Sequence, residues 1–239
     1  MSAKVRPWPG SPTTASLTLS AAHDEADSLP ADREVRAWLD DIRAMGYRAV
    51  RTGAVGPGVA GRLAGLGFVP VQELELLSAD LQAVPPPPMP KPVVVVSRAW
   101  LASPRLVGRV LRVDRRAFAE GWCMDAPALR DARRATSHSA LWTARDRDGT
   151  VGFVLVGRTG TSGYVQRLAV DPLRQRHGIA FELLASAHAW LRSNGCSVAF
   201  VNTEPTNLPA LTLYRRSGYA PLSYRLQVLE CDLSGTVLP

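Results

Sequence analysis

The chain has 239 residues, of which 46% are hydrophobic, 21% charged and 7% aromatic. This is globular composition, which excludes wholesale disorder and collagen-like structure, and no run approaches the ~20 apolar residues of a membrane-crossing helix. The net charge of +7 is uneven, −2 over residues 1–90 and +9 over 91–239, so any polyanionic partner belongs to the second part.

The opening MSAKVRPWPGSPTT has no apolar core region, so no secretory leader is expected. Cys123, Cys196 and Cys231 are too few and too scattered for a disulfide framework or a zinc site, so no metal is expected. A reducing, cytoplasmic setting is the default expectation. The length suits one large or two small domains.

In chain order, Ala15–Leu19 reads as a strand. Ala31–Met45 reads as a helix with Val35, Trp38, Leu39 and Ile42 on one face. Arg48–Thr52 is an expected strand, Pro57–Leu66 a helix and Val69–Leu77 a strand. The run Val84-Pro85-Pro86-Pro87-Pro88-Met89-Pro90-Lys91-Pro92 continues neither helix nor strand. It reads as a semi-rigid spacer and sets expected domains at 1–83 and 93–239, with the linker at 84–92.

Beyond it, Val93–Trp100 is β-branched and reads as a strand, and Leu106–Phe118 and Ala128–Thr136 read as helices. Ser139–Arg145 and Val151–Arg158 are strands joined through Asp148-Gly149, a hairpin signal. Tyr164–Val170 is a strand ended by Asp171-Pro172. From Gly178 to Ser193 the apolar residues Ile179, Leu183, Leu184, Ala187, Trp190 and Leu191 keep helical spacing, and Gly195 stops the helix. Ser197–Thr203 is a buried strand, Asn207–Ser217 a helix, and Tyr224–Leu229 a closing strand. The fold class is mixed α/β.

The two sides of the spacer share a pattern. Ala37-Trp38-Leu39, Gly46, Gly67-Phe68-Val69-Pro70 and Asp80-Leu81 are matched in order by Ala189-Trp190-Leu191, Gly195, Gly218-Tyr219-Ala220-Pro221 and Asp232-Leu233. The offset stays between 149 and 152, which suggests an internal duplication.

The segment from Leu168 to Ala180 runs from a strand end through a basic loop into a helix. Unpaired amides at such a helix start, with the helix dipole behind them, form an anion site. Gly178 permits close backbone approach, Ala180 keeps the first turn slim, and Arg174, Arg176 and His177 add positive charge. The expected ligand group is a pyrophosphate. No Gly-Lys-Ser/Thr follows, so this is not a triphosphate P-loop, and the glycine triplet of a dinucleotide-binding loop is missing.

Gln175-x-x-Gly178-x-Ala180, followed by Asn207-x-x-Ala210-x-x-x-Tyr214-x-x-x-Gly218-Tyr219, resembles the two conserved blocks of the GNAT acyltransferases. The resemblance covers about residues 93–233. It implies a mostly antiparallel central sheet with a splayed strand pair, flanked by helices, and acetyl-CoA as co-substrate. It further implies that Leu168, Ala169 and Val170 pair with the pantetheine arm, that the loop Gln175, Arg176, His177, Gly178, Ile179 and Ala180 holds the pyrophosphate, and that Asn207 lies near the acetyl end. Tyr214 is implied as the general acid toward the CoA thiolate.

Where two branches of the family carry a catalytic Glu, this chain has Asn202 and Tyr164. Glu204 is the nearest substitute base. Trp122 and Asp125, with Glu120, approach from the substrate-side helices; Tyr164, Gln166 and Asn202 complete the expected acceptor surface. The acceptor is expected to be a small-molecule or peptide amine, and direct transfer in a ternary complex is the expected reaction. An acyl-CoA-binding regulator or scaffold is the rival. A nucleic-acid role through Arg112, Arg115, Arg116, Arg130, Arg133 and Arg134 finds no interleaved aromatic motif, and neither membrane binding nor a particular oligomeric state is indicated.

In the first repeat the stretch Ala22–Asp32 is acidic and lacks the basic loop, and Leu63 stands where Tyr214 does. The expectation is a degenerate, half-length GNAT-like repeat that binds no CoA.

Overall fold

The computed structural model describes residues 4–18, 31–83, 94–99 and 103–235. The spacer at 84–92 and the acidic residues 22–30 lie outside the described residues. The chain divides into two compact units, Met1–Leu76 with Leu222–Pro239, and Leu77–Pro221. These limits differ from the expected 1–83 and 93–239, because residues from Leu222 onward group with the first unit. No helix among the described residues is long and apolar enough to cross a membrane.

In the first unit, β1 (Lys4–Trp8) and β2 (Ser11–Thr18) form an antiparallel hairpin turning at Gly10, φ 76°. They are followed by α1 (Asp32–Ala44), β3 (Ala49–Val55), α2 (Pro57–Ala64) and β4 (Val69–Asp80). The last strand of the chain, β10 (Ala220–Asp232), supplies most of its length here. The sheet order is β1-β2-β3-β10-β4, with β2 and β3 parallel from Thr14↔Ala49 to Leu17↔Thr52. Helix α1 turns Val35, Leu39 and Ile42 inward, onto a core with Leu17, Val50, Leu63, Phe68 and Leu229. Strand β1 was not legible in the sequence: Pro7 argues against a strand, yet an edge strand tolerates the missing donor.

The second unit holds β5 (Val95–Ala99), α3 (Pro104–Ala117), α4 (Ala126–Arg134), β6 (His138–Asp146), β7 (Gly149–Thr159), β8 (Ser162–Val170), α5 (Ile179–Ser193), β9 (Val198–Thr203) and α6 (Leu208–Arg216). Its strands run β9-β8-β7-β6-β5, with the end of β4 next to β9, where the Leu81 amide donates to the Ser197 carbonyl. Strand β7 is buried on both faces, and its period-two alternation feeds two cores. Phe153 and Leu155 meet Val110, Leu111 and Val113 of α3 and Leu129 of α4. Val154 and Val156 meet Leu183, Leu184, Ala187 and Leu191 of α5 and Leu211 and Tyr214 of α6. The sheet is therefore sandwiched between helices, with β8 positioned between both cores. This is a GNAT-like α/β fold, and the expected elements fall within a few residues of the observed ones.

Candidate active site

Strand β8 carries the site because of how it fails to pair. On one side it keeps β7 for its whole length. Leu155 opposes Arg167 and Val156 opposes Val165, which leaves Gln166 as the extra residue of a bulge. On its other side β8 pairs in parallel with β9 only at Ser162↔Val198, Gly163↔Ala199 and Tyr164↔Phe200. Past that point the two strands part, and the outer backbone edge of residues 165–170, including the expected Leu168, Ala169 and Val170, is not covered by β9. The Tyr164 ring stacks on Phe200 at the point of divergence, with centroids 5.8 Å apart, and burial pushes its phenol up.

The chain then turns sharply. The Asp171 carboxylate accepts from the Leu173 amide at 3.1 Å and from Arg116 at 2.7 Å. Burial works to raise its pKa, but Arg116 and that amide outweigh it and hold the carboxyl below its usual range. Arg174 is bound to Asp146 at 2.9 Å and Asp148 at 2.7 Å, so it staples the loop to the β6–β7 turn rather than standing free for an anion. Gln175 Nε2 donates to the Val170 carbonyl at 3.3 Å, and His177 Nδ1 lies 2.7 Å from the Gln175 carbonyl. Arg176 has φ 68° and Gly178 φ 79°. Two left-handed residues so close together turn successive amides to one side. The amides of Arg176, His177, Gly178, Ile179 and Ala180 make no hydrogen bond among the described residues, while those of Phe181 and Glu182 already close onto the Gly178 carbonyl. The Ile179 side chain is buried, fixing the helix start to the core. Uncommitted donors backed by a helix dipole, beside an unpaired strand edge, fit an extended ligand carrying a pyrophosphate.

Asn207 caps α6, its Oδ1 accepting from the Ala210 amide at 3.2 Å. Tyr214 is 6% exposed, and its hydroxyl makes no hydrogen bond among the described residues. Burial pushes its phenol well up. Its ring meets Tyr219 edge-on at 5.6 Å, and the Tyr219 hydroxyl shares a hydrogen bond with His188 Nε2 at 2.8 Å. Asn202 and Glu204 are exposed, on and just after β9.

On the α3–α4 side, Asp114 is completely buried and holds Arg167 with two contacts, 2.7 and 3.0 Å. Arg167 also donates to the Trp122 carbonyl at 2.6 Å and lies over the Phe118 ring, while Asp114 accepts from the Met124 amide at 2.7 Å. The expected Trp122 is thus set by its backbone. Asp125 caps α4 through the Ala128 amide at 2.6 Å. Gln166 donates to the Ala132 carbonyl at 2.7 Å, and its Oε1 is buried without a partner. The sequence reading missed Asp114, Arg167 and the His188–Tyr219 pair. The signal for the first was present: Asp114 interrupts the apolar face made by Val110, Leu111 and Val113.

The acetyltransferase (GNAT) family model matches residues 108–219. The mycothiol acetyltransferase of Catenulispora acidiphila is 28% identical over 207 residues, covering 77% of this chain and 63% of that protein. The mycothiol acetyltransferase of Segniliparus rotundus is 31% identical over 167 residues, covering 64% and 62%. The chain spans about three-fifths of the length of these curated relatives. Among solved structures, a GCN5-related N-acetyltransferase from Sphaerobacter thermophilus superposes with a TM-score of 0.63 at 15% identity, covering 98% of this chain and 77% of that one. A tandem GNAT protein from the clavulanic acid biosynthesis pathway superposes with a TM-score of 0.66 at 13% identity, covering 94% and 76%. At these identities the structural likeness is one of fold.

Proposed function

Because residues 108–219 match the acetyltransferase (GNAT) family model, we propose that the protein transfers an acetyl group from acetyl-CoA to the primary amine of a small molecule. The observation that carries this reading is the parting of β8 from β9 after Tyr164↔Phe200, next to the uncommitted amides of Arg176 to Ala180. Acetyl-CoA supplies an activated thioester when bound. The edge Leu168–Val170 holds its pantetheine arm as an added strand, and the loop from Gln175 to Ala180 holds its pyrophosphate. Tyr214 stays protonated in its buried setting and is assigned the proton that the departing thiolate takes up. Trp122, Asp125, Tyr164, Gln166 and Asn202 border the acceptor. Glu204 takes the amine proton where the amine does not arrive neutral. The mycothiol acetyltransferase likeness favours a small-molecule acceptor over a peptide.

The same reading makes the first unit a partial repeat. The succession β2-α1-β3-α2-β4 matches β8-α5-β9-α6-β10, and both β2–β3 and β8–β9 are parallel pairs. Each third element takes a closing strand from the other repeat: β3 pairs with β10, and β9 stands beside β4. Leu63, buried in the first core, occupies the place of Tyr214 and leaves that repeat without an acid.

The test is thiol release from acetyl-CoA over a panel of small amines and N-terminal peptides, with the Tyr214→Phe variant alongside. We expect kcat to fall about 10²- to 10⁴-fold in the variant, with donor affinity retained. Donor binding with no transfer to any amine by the unaltered protein would instead make it an acyl-CoA-binding regulator, the reading that Asn202 and Tyr164 at the usual carboxylate positions favour.

A further inference from the structure

A cavity of about 430 Å³ opens between α3, the β6–β7 turn and the loop after β8. Arg109, Arg112, Arg116, Arg145, Arg147 and Arg174 line it, with Asp148 and Asp171. Arg116 is paired with Asp171, and Arg174 with Asp146 and Asp148. Arg109, Arg112, Arg145 and Arg147 have no acid partner among the described residues. Arg109, Arg112 and Arg116 share one face of α3, spaced by three and four residues. Crowding unpaired guanidinium groups around a concavity costs free energy through their mutual repulsion, and a dense anion relieves it. The guanidinium fork matches a phosphate's oxygens two at a time. No aromatic residue lines the cavity, so a polynucleotide finds no platform for stacked bases.

We propose that this cavity binds a phosphate monoester. One source follows from the donor reading above, on which this part rests: CoA carries a phosphate monoester on its ribose 3′ oxygen. Asp171, Leu173 and Arg174 of the cavity wall directly precede the loop assigned to the pyrophosphate. The other source is a separate phosphorylated small molecule.

The experiment is calorimetry at low, fixed salt with CoA, 3′-dephospho-CoA and inorganic phosphate as probes. The proteins are the unaltered chain and the double variant Arg112→Gln, Arg147→Gln, both at exposed positions. We expect CoA to bind at least tenfold tighter than its dephospho form, and the variant to lose that difference without losing dephospho-CoA affinity. Equal binding of the two CoA forms, with inorganic phosphate bound by the unaltered protein and not by the variant, supports the site with a separate ligand. Equal binding without any phosphate uptake overturns the site and leaves the donor reading intact. Phosphate uptake with neither CoA form bound does the reverse. A preference that survives in the variant, or a short RNA bound far more tightly than phosphate, also overturns the proposal.

Discussion

Arg167 emerges from the middle of a strand and ends against the completely buried Asp114, a Trp122 carbonyl and the Phe118 ring. Removing the carboxylate leaves a largely buried guanidinium uncompensated. Asp114→Ala is therefore expected to cost about 3–5 kcal/mol, read from urea unfolding, and to loosen the segment around Trp122. Asp114→Asn keeps one acceptor and should cost less. His188 poses a different question of charge. Burial, with Arg192 nearby, lowers its pKa from 6.5 to about 4. An unfolded chain protonates this imidazole near 6.5 and the folded chain only near 4, so between those values the unfolded state binds more protons. Stability is then full above pH 6.5 and falls on acidification toward 4, by roughly 3 kcal/mol if this residue acts alone. Replacing it, as His188→Gln, should flatten that part of the pH profile of the denaturation midpoint.

At the scale of elements, β8 has least freedom where it still pairs. A Cβ on Gly163 would stand 2.5 to 3.0 Å from the side chain of Leu191, which is fully buried, so something must shift. Gly163→Ala is expected to destabilise by about 1–3 kcal/mol, measurable as a lowered Tm. The helices and strands were legible because their apolar periods are clean: Ile179 to Leu191 keeps a helical stripe, and Val151 to Gly157 is a continuous run without a polar side chain. The turn from Asp171 to Gly178 was legible as a strand-to-helix loop from its glycine and its place after a strand. The bulge at Gln166 was not, since bulges follow from unequal pairing between strands and leave no composition of their own. Arg174 was misjudged for a related reason. Its charge is plain in the sequence, but its partners Asp146 and Asp148 lie on a hairpin turn that only the folded sheet brings near.

For the whole molecule, the reading of one working site per chain makes a countable prediction. Acetyl-CoA should titrate to one equivalent per chain, and Gly178→Glu, which sets a carboxylate among the amides of the loop and forces a side chain onto a left-handed backbone, should abolish that binding. Two equivalents would mean that the first unit binds as well. The proposed repeat rests on matched residues at an offset of 149 to 152. The exchange by which β10 pairs with β3 while β4 stands beside β9 was not legible, because sequence alone does not say which neighbour each strand will choose.

That exchange has a consequence for the order in which the protein is made. The first unit combines Met1–Leu76 with Leu222–Pro239, so it cannot finish folding until the residues after Leu222 have been added. Throughout translation of the intervening unit, β3 waits with its β10 edge open, a bare strand edge of the kind that invites association with other nascent chains. A chain stopped at residue 221 should therefore accumulate as aggregate rather than as soluble protein, and supplying the missing strand in trans as a peptide spanning 222–235 should recover soluble protein. Placing the same strand ahead of residue 1, by circular permutation, should shorten the wait.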